Sequence, residues 1–308
     1  MNDQDWVILK TVAEEKNLTN AAEQLFITQP ALTYRLKNME KEFGASLFIR
    51  TPKGVILTPQ GECLHEYAKA MLLELRRTQE QIDSMNRSIR GKLHLGISLN
   101  FAKHRLSRIL KSFTELYPDV ELSIITGLSG RINQLLQAEE ISVAIVRGDY
   151  SWSEARHLIS EEPVQLLAHH EIDLEQLPEL PSIVYQTDGL LQKEIADWWG
   201  GQFSCPPRIA MQINDAETCR QLVALGLGWS VLPSMSCDDN SYDGLYTCPL
   251  FQRNGLPLTR RTWLTYRYSS VEFLPVRAFV EHLIAMERLD QNQSGKTEAA
   301  SDTDKKQT

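Results

Sequence analysis

The side chains of this 308-residue sequence best able to do chemistry are five thiols, seven imidazoles and two sets of hydroxyl, amide and cationic groups. Cys63, Cys205, Cys219, Cys237 and Cys248 are odd in number, scattered and never spaced as C-x-x-C, so neither a disulfide framework nor a structural zinc site is expected. The histidines form no H-E-x-x-H, no G-x-S-x-G occurs, and no glycine loop of the phosphate-cradling type is present. Gly226-x-Gly228 lacks a third glycine and precedes a strand instead of following one. No catalytic set, metal site or cofactor is expected, and an enzyme is the weaker reading.

The first polar set lies between Thr28 and Lys53. Projected on a helix, Pro30, Tyr34, Lys37, Asn38 and Lys41 share a face, flanked by Thr33 and Arg35 and preceded by Gln29. Such a stripe offers hydrogen bonds to base edges and cations to phosphates in a major groove. Arg50 and Lys53 then bracket a basic turn, RTPKG, between two short apolar runs, which makes a wing suited to backbone or minor-groove contacts. The net charge of −8 argues against nucleic acid only as a sum. Residues 1–27 hold two basic and five acidic side chains, whereas residues 28–53 hold five basic and two acidic, so the charge is locally inverted.

The second polar set follows from a rule for open α/β sheets, which bind ligands beyond the carboxyl ends of their strands. It selects Ser98, Leu99 and Asn100, then Thr126 and Ser129, then Arg147 as a countercharge. In a second half it selects Gln186, Thr187, Asn214, Glu217 and Thr218. These groups suit a small polar or anionic metabolite.

The elements that must position both sets read as follows. Trp6, Leu9, Val12 and Ala13 give a first amphipathic helix, Thr19 is placed to N-cap a second, and Thr28 a third, whose core side is Leu32, Leu36, Met39 and Phe43. Gly44 ends it. From Thr58-Pro59 a long helix carries Leu64, Met71, Thr78 and Met85 spaced by seven, with Ala68, Leu75, Ile82 and Ile89 four residues after each. That is an a/d heptad pattern. Past Gly91, strands alternate with helices, predicting a largely parallel sheet in two repeats that restart beyond Pro163. The last helix is expected over Val276 to Met286.

The run NAAEQLFITQPALTYRLKNMEKEFGASLFIRTPKGVILTPQGE resembles the DNA-binding signature of the LysR-type transcriptional regulators. Ala21-Ala22, Leu25, Thr28-Gln29-Pro30-Ala31, Leu36, Met39-Glu40, Gly44, Leu47-Phe48, Arg50 and Leu57-Thr58-Pro59 before Gly61 carry it. Thr28 and Thr33 keep the hydroxyl of the family's usual serines, and Tyr34 replaces a more flexible polar side chain. YPDVEL, SVAIVRG and LVALGLGWSVLP resemble landmarks of the family's effector domain, which is similar in fold to periplasmic binding proteins. The resemblance implies a winged helix-turn-helix over residues 1–58 and a dimerising linker helix over 59–91. It implies an α/β effector domain over 92–290, with lobe I at 92–162 and 267–290 and lobe II at 163–266; residues 291–308 read as a disordered tail. It implies further that Leu64, Ala68, Met71, Leu75, Ile82, Met85 and Ile89 form a seam between two copies. The function expected is that of an activator or repressor. Its partners would be double-stranded DNA with an interrupted inverted repeat, a small-molecule effector, itself as homodimer or tetramer, and RNA polymerase.

Nothing at the N-terminus reads as a signal peptide and no apolar run spans a bilayer, so a cytoplasmic location is expected. A free-standing binding protein would leave the first 90 residues without a role. A thiol-based redox sensor on the same fold is the main alternative, although the stretch Gln186 to Ile195 has no cysteine.

Overall fold

A capping box opens the first helix, α1 (Asp3–Glu15): the Asn2 side chain accepts from the Asp5 N–H at 3.1 Å, and Asp5 accepts from the Asn2 N–H at 2.9 Å. Lys16, at φ 52°, ends it. Asn17, not Thr19, caps α2 (Leu18–Gln24). Its Oδ1 accepts from the N–H groups of Thr19 and Asn20, because the asparagine occupies the extended position before the helix while Thr19 is already inside it. Thr28 caps α3 (Gln29–Phe43) through the Ala31 N–H, and Gly44 ends it in the left-handed conformation. Ile8, Leu9, Val12, Leu32, Leu36 and Met39 form the core of this three-helix head, whereas Phe43, expected on the same side, is exposed in the last turn.

This computed structural model describes residues 2–52, 54–85, 88–234 and 244–304, except for the side chains of 84, 85 and 291–304. Lys53, Cys237 and the Met85 side chain lie outside the described residues. The wing is an antiparallel hairpin of β1 (Phe48–Thr51) and β2 (Gly54–Leu57). Gly54 sits at φ +128°, where a Cβ would overlap the Lys16 carbonyl oxygen. That oxygen accepts from the Val55 N–H at 2.8 Å, tying the hairpin to the end of α1. Glu40 fastens the other side: its Oε1 accepts from the N–H groups of Leu47 at 2.9 Å and Phe48 at 3.4 Å.

The long helix, α4 (Pro59–Met85), starts under a Thr58 cap, whose Oγ1 accepts from the Gly61 N–H at 2.9 Å. Its heptad residues divide. Leu64 and Ala68 are buried in the head's own core, where α4 packs along α1 and Trp6 meets Tyr67 edge-on. Met71, Leu75 and Ile82 are exposed. The described helix runs to Met85; residues 88–90, expected within it, are not helical, and Ile89 packs instead against the core of the α/β unit. A heptad stripe records apolar spacing, not which surface covers it; the first two layers are used within the chain.

The chain divides into Met1–Asn86 and Arg87–Thr308. In the second unit, β3 (Gly91–Ser98) pairs parallel with β4 (Val120–Gly127) and β5 (Val143–Arg147). The helical connections are α5 (Leu99–Phe101), a π-helical turn (Ala102–Leu106), α6 (Ser107–Leu116) and α7 (Ser129–Gln137). Beyond the long strand β6 (Ala155–Ala168), the second lobe holds β7 (Ser182–Tyr185) parallel to β8 (Ile209–Ile213), with α8 (Gly189–Gln202) and α9 (Ala216–Ala224). β9 (Ser230–Pro233) and β10 (Tyr246–Pro249) pair antiparallel with the far half of β6. The sheet is therefore mixed, where alternation of strands and helices had predicted a largely parallel one.

β11 (Thr259–Tyr266) corrects the lobe boundary. It pairs antiparallel with β5 from Thr262 to Tyr266, and Leu264 and Tyr266 are buried in the first lobe's core. It also pairs with β6 from Thr259↔Pro163 to Tyr266↔Ala155. The crossing between lobes is thus a two-stranded ribbon near Pro163 and Thr259, and residues 259–266 belong to lobe I. The last helix, α10 (Leu274–Asp304), begins two residues before the expected helix and extends through the segment read as a disordered tail, up to Asp304.

Candidate functional site

In the head, the polar stripe of α3 stands in solvent. Gln29, Pro30, Tyr34, Lys37, Asn38 and Lys41 are exposed, Thr33 is half-buried, and Arg50 is exposed on the wing. Arg35 differs. Its guanidinium turns back onto α1, with Nη1 at 3.3 Å from Asp5 Oδ1 and Nη2 at 3.3 Å from Gln4 Oε1. It therefore braces α3 against α1. Sequence reading placed it on the flank of the stripe, where helical projection cannot see a partner thirty residues away. Phe26 was missed: it is 96 % exposed at φ 54°, two residues before the α3 cap. A phenylalanine with positive φ is uncommon, and its exposure sets an apolar ring beside the stripe.

The second unit encloses a cavity of about 250 Å³ at the carboxyl ends of β3, β4, β5, β7 and β8. Eight expected residues line it: Ser98, Leu99, Asn100, Ser129 and Arg147 from the first lobe, and Gln186, Thr187 and Asn214 from the second. Three do not. Thr126 is exposed one residue before the lining begins at Gly127. Glu217 is turned to Arg220 and Gln221, and Thr218 donates to Asp215 at 2.7 Å. Asp188, Leu191, Asp215 and Arg260 line the cavity without having been expected. The two aspartates carried a signal, since each precedes a helix as an N-cap. Arg260 carried none, because only β11 brings it there.

Arg147 is not an open countercharge. It is buried and paired with Glu162, and its backbone N–H donates to Ser129 Oγ at 3.0 Å. Arg260, more deeply buried, pairs with Asp188, donates to the Arg147 carbonyl at 2.7 Å, and stands 3.6 Å from Glu194. Gly148, at φ +104°, makes room for it: a Cβ there would lie 2.6 Å from Arg260 Nη1. Burial pushes the Glu194 carboxyl above its ordinary range and the Tyr185 phenol up to about 12. Hydrogen bonds from Thr218 hold the Asp215 carboxyl below its ordinary value. Ser98 Oγ, buried at the cavity wall, has no hydrogen-bond partner among the described residues.

The thiols show no redox arrangement among the described residues. Cys219 is buried, hydrogen-bonded to Ser230 Oγ at 3.1 Å, and pushed up to about 11 by burial; Cys63 and Cys205 are exposed. No group of three or more His, Cys, Asp or Glu suited to a metal occurs among the described residues, and no described helix is long and apolar enough to cross a membrane.

Residues 4–62 match the family described as bacterial regulatory helix-turn-helix protein, lysR family, and residues 86–287 match the LysR substrate binding domain. Two relatives from Bacillus subtilis (strain 168) are HTH-type transcriptional regulators of uncharacterized role. YraN is 39 % identical over 92 % of this chain and 97 % of its own, and YkuM is 32 % identical over 94 % and 99 %. Among solved structures, full-length AphB from Vibrio cholerae aligns with a TM-score of 0.63 at 19 % identity, covering 92 % of this chain and 99 % of that one. Full-length CbnR in complex with its target DNA aligns at 0.61, with 19 % identity and the same coverage.

Proposed function

The chain belongs to the LysR family of transcriptional regulators, and we propose that it binds an operator through α3 and the wing under control of a small polar or anionic metabolite held in the 250 Å³ cavity. The observation that carries the ligand site is Ser98 Oγ. A buried hydroxyl without a partner forfeits about 1–3 kcal/mol unless something satisfies it, and residues of both lobes converge on the same space. Thr28, Gln29 and Thr33 open the recognition helix toward base edges, while Lys37, Arg50 and Lys53 supply cations for phosphates. Two copies joined along the exposed Met71, Leu75 and Ile82 would present paired heads to an interrupted inverted repeat, with half-sites about one helical turn apart.

The test couples both sites. Ser98→Ala combined with Asn214→Ala should leave folding and operator binding intact and abolish the change in operator affinity caused by a stabilising metabolite. An unaltered response places the ligand elsewhere. DNase footprinting should protect two half-sites; protection of one alone refutes the paired arrangement.

A further inference from the structure

The two walls of the cavity differ in what they offer a charge. On the first lobe, two helices begin at the cavity without a side-chain cap. One starts at Leu99 and runs unbroken through its π-helical turn to Leu116; the other is α7, which follows the apolar Leu128. Their first N–H groups and partial positive ends favour an anion. The buried Ser98 Oγ, without a partner among the described residues, is an independent sign that a ligand atom belongs there. On the second lobe the corresponding positions are already filled by carboxylates. Asp188 accepts from the N–H groups of Leu190 and Leu191, and Asp215 from those of Glu217 and Thr218. A ligand anion on that side would meet like charge.

The ion pairs around the cavity sharpen the contrast. Arg147 faces Glu162, Arg260 faces both Asp188 and Glu194, and Lys103 stands 3.7 Å from Asp215. Four carboxylates thus surround three cations, and the two guanidiniums are engaged by protein carboxylates. A dicarboxylate or phosphate would bring a second negative charge to a site where, among these groups, carboxylates already outnumber cations. Asp188 is buried and saturated by its cap bonds and Arg260, whereas Asp215 is half-buried: its Oδ1 takes the two cap bonds, its Oδ2 accepts one hydrogen bond, from Thr218, and Lys103 stands beyond hydrogen-bond distance. Leu99, Leu128 and Leu191 add an apolar wall, and the volume falls just below the range of drug-sized ligand pockets, which begins at about 300 Å³, so the occupant is small.

We propose that the ligand is a small amino-carboxylate, its carboxylate on Ser98 Oγ and the N-termini at Leu99 and Ser129, its ammonium facing Asp215. The proposal rests on the reading of this cavity as the effector site. The experiment is a thermal-unfolding and calorimetric screen of the full chain with four sets of probes. These are the twenty protein amino acids, the acids that lack their amino group, the amines that lack their carboxylate, and succinate with inorganic phosphate. At least one amino acid should raise the melting temperature, with both truncated analogues bound at least tenfold more weakly. Asp215→Asn should lower affinity for that amino acid at least tenfold and leave the deaminated acid unchanged, while Ser98→Ala should weaken both. A deaminated acid bound as tightly as the amino acid, a preference for succinate or phosphate, or no stabilisation by any amino acid overturns the proposal. If succinate or phosphate binds and Ser98→Ala abolishes it, the cavity remains the effector site and only the zwitterion fails. Binding indifferent to Ser98→Ala overturns both.

Discussion

Arg35 and Lys37 lie two residues apart on α3, both cationic, but in different surroundings. Lys37 is exposed on the stripe, whereas Arg35 reaches back to Asp5 and Gln4 at 3.3 Å. Each lysine that neutralises a phosphate contributes about 0.9 to the slope of log K against log salt. Lys37→Ala should flatten that slope by about 0.9. Between 50 and 200 mM salt, a fourfold change, wild type should therefore lose about 3.5-fold more affinity than the variant. Arg35→Ala should leave the slope alone. Its side chain is 39 % exposed, so after solvent screening the brace contributes about 0.2–1 kcal/mol, read as a small loss in thermal stability of the head. The assay is fluorescence anisotropy of a duplex selected from random sequence by the wild-type protein, titrated at several KCl concentrations, with unfolding curves for each variant. If Arg35→Ala flattens the slope as Lys37→Ala does, the brace is not the role of Arg35. If Lys37→Ala leaves the slope unchanged, the stripe does not face phosphate.

The heptad residues of α4 should separate by position: Leu64→Ala opens a cavity in the head and should cost about 2–5 kcal/mol, seen by calorimetry, while Leu75→Lys should leave the fold and dissociate copies in sedimentation. A head insensitive to Leu64→Ala would contradict the packing of α4 on α1. Gly148→Ala combines a positive φ with a Cβ 2.6 Å from Arg260 and should destabilise the α/β unit by at least about 1–3 kcal/mol; a neutral result refutes the close approach. Cys63 and Cys205 should alkylate readily at pH 7.5, while Cys219, its thiol protonated throughout the neutral range, should react only on unfolding. Rapid labelling of Cys219 in the folded protein would reopen the redox reading.

Local sequence determined the local features of this protein. The Thr28 and Gly44 caps, the helical periods of α1 and α3, the wing and the strands Ser182–Tyr185 and Ile209–Ile213 were legible because each depends on neighbours within a few residues. The strand-end rule located eight cavity residues for the same reason: a strand's carboxyl end is visible wherever the strand is. What tertiary structure alone decided involves partners distant in sequence. Arg35 met Asp5, Leu64 and Ala68 met the head's own core, and β11 joined the first lobe's sheet. By that pairing Arg260 arrived beside Asp188 and Arg147, turning an expected countercharge into a closed array of buried ion pairs. An apolar spacing or a charge specifies that a side chain needs a partner. Which partner it obtains is fixed only when long-range packing brings the surfaces together.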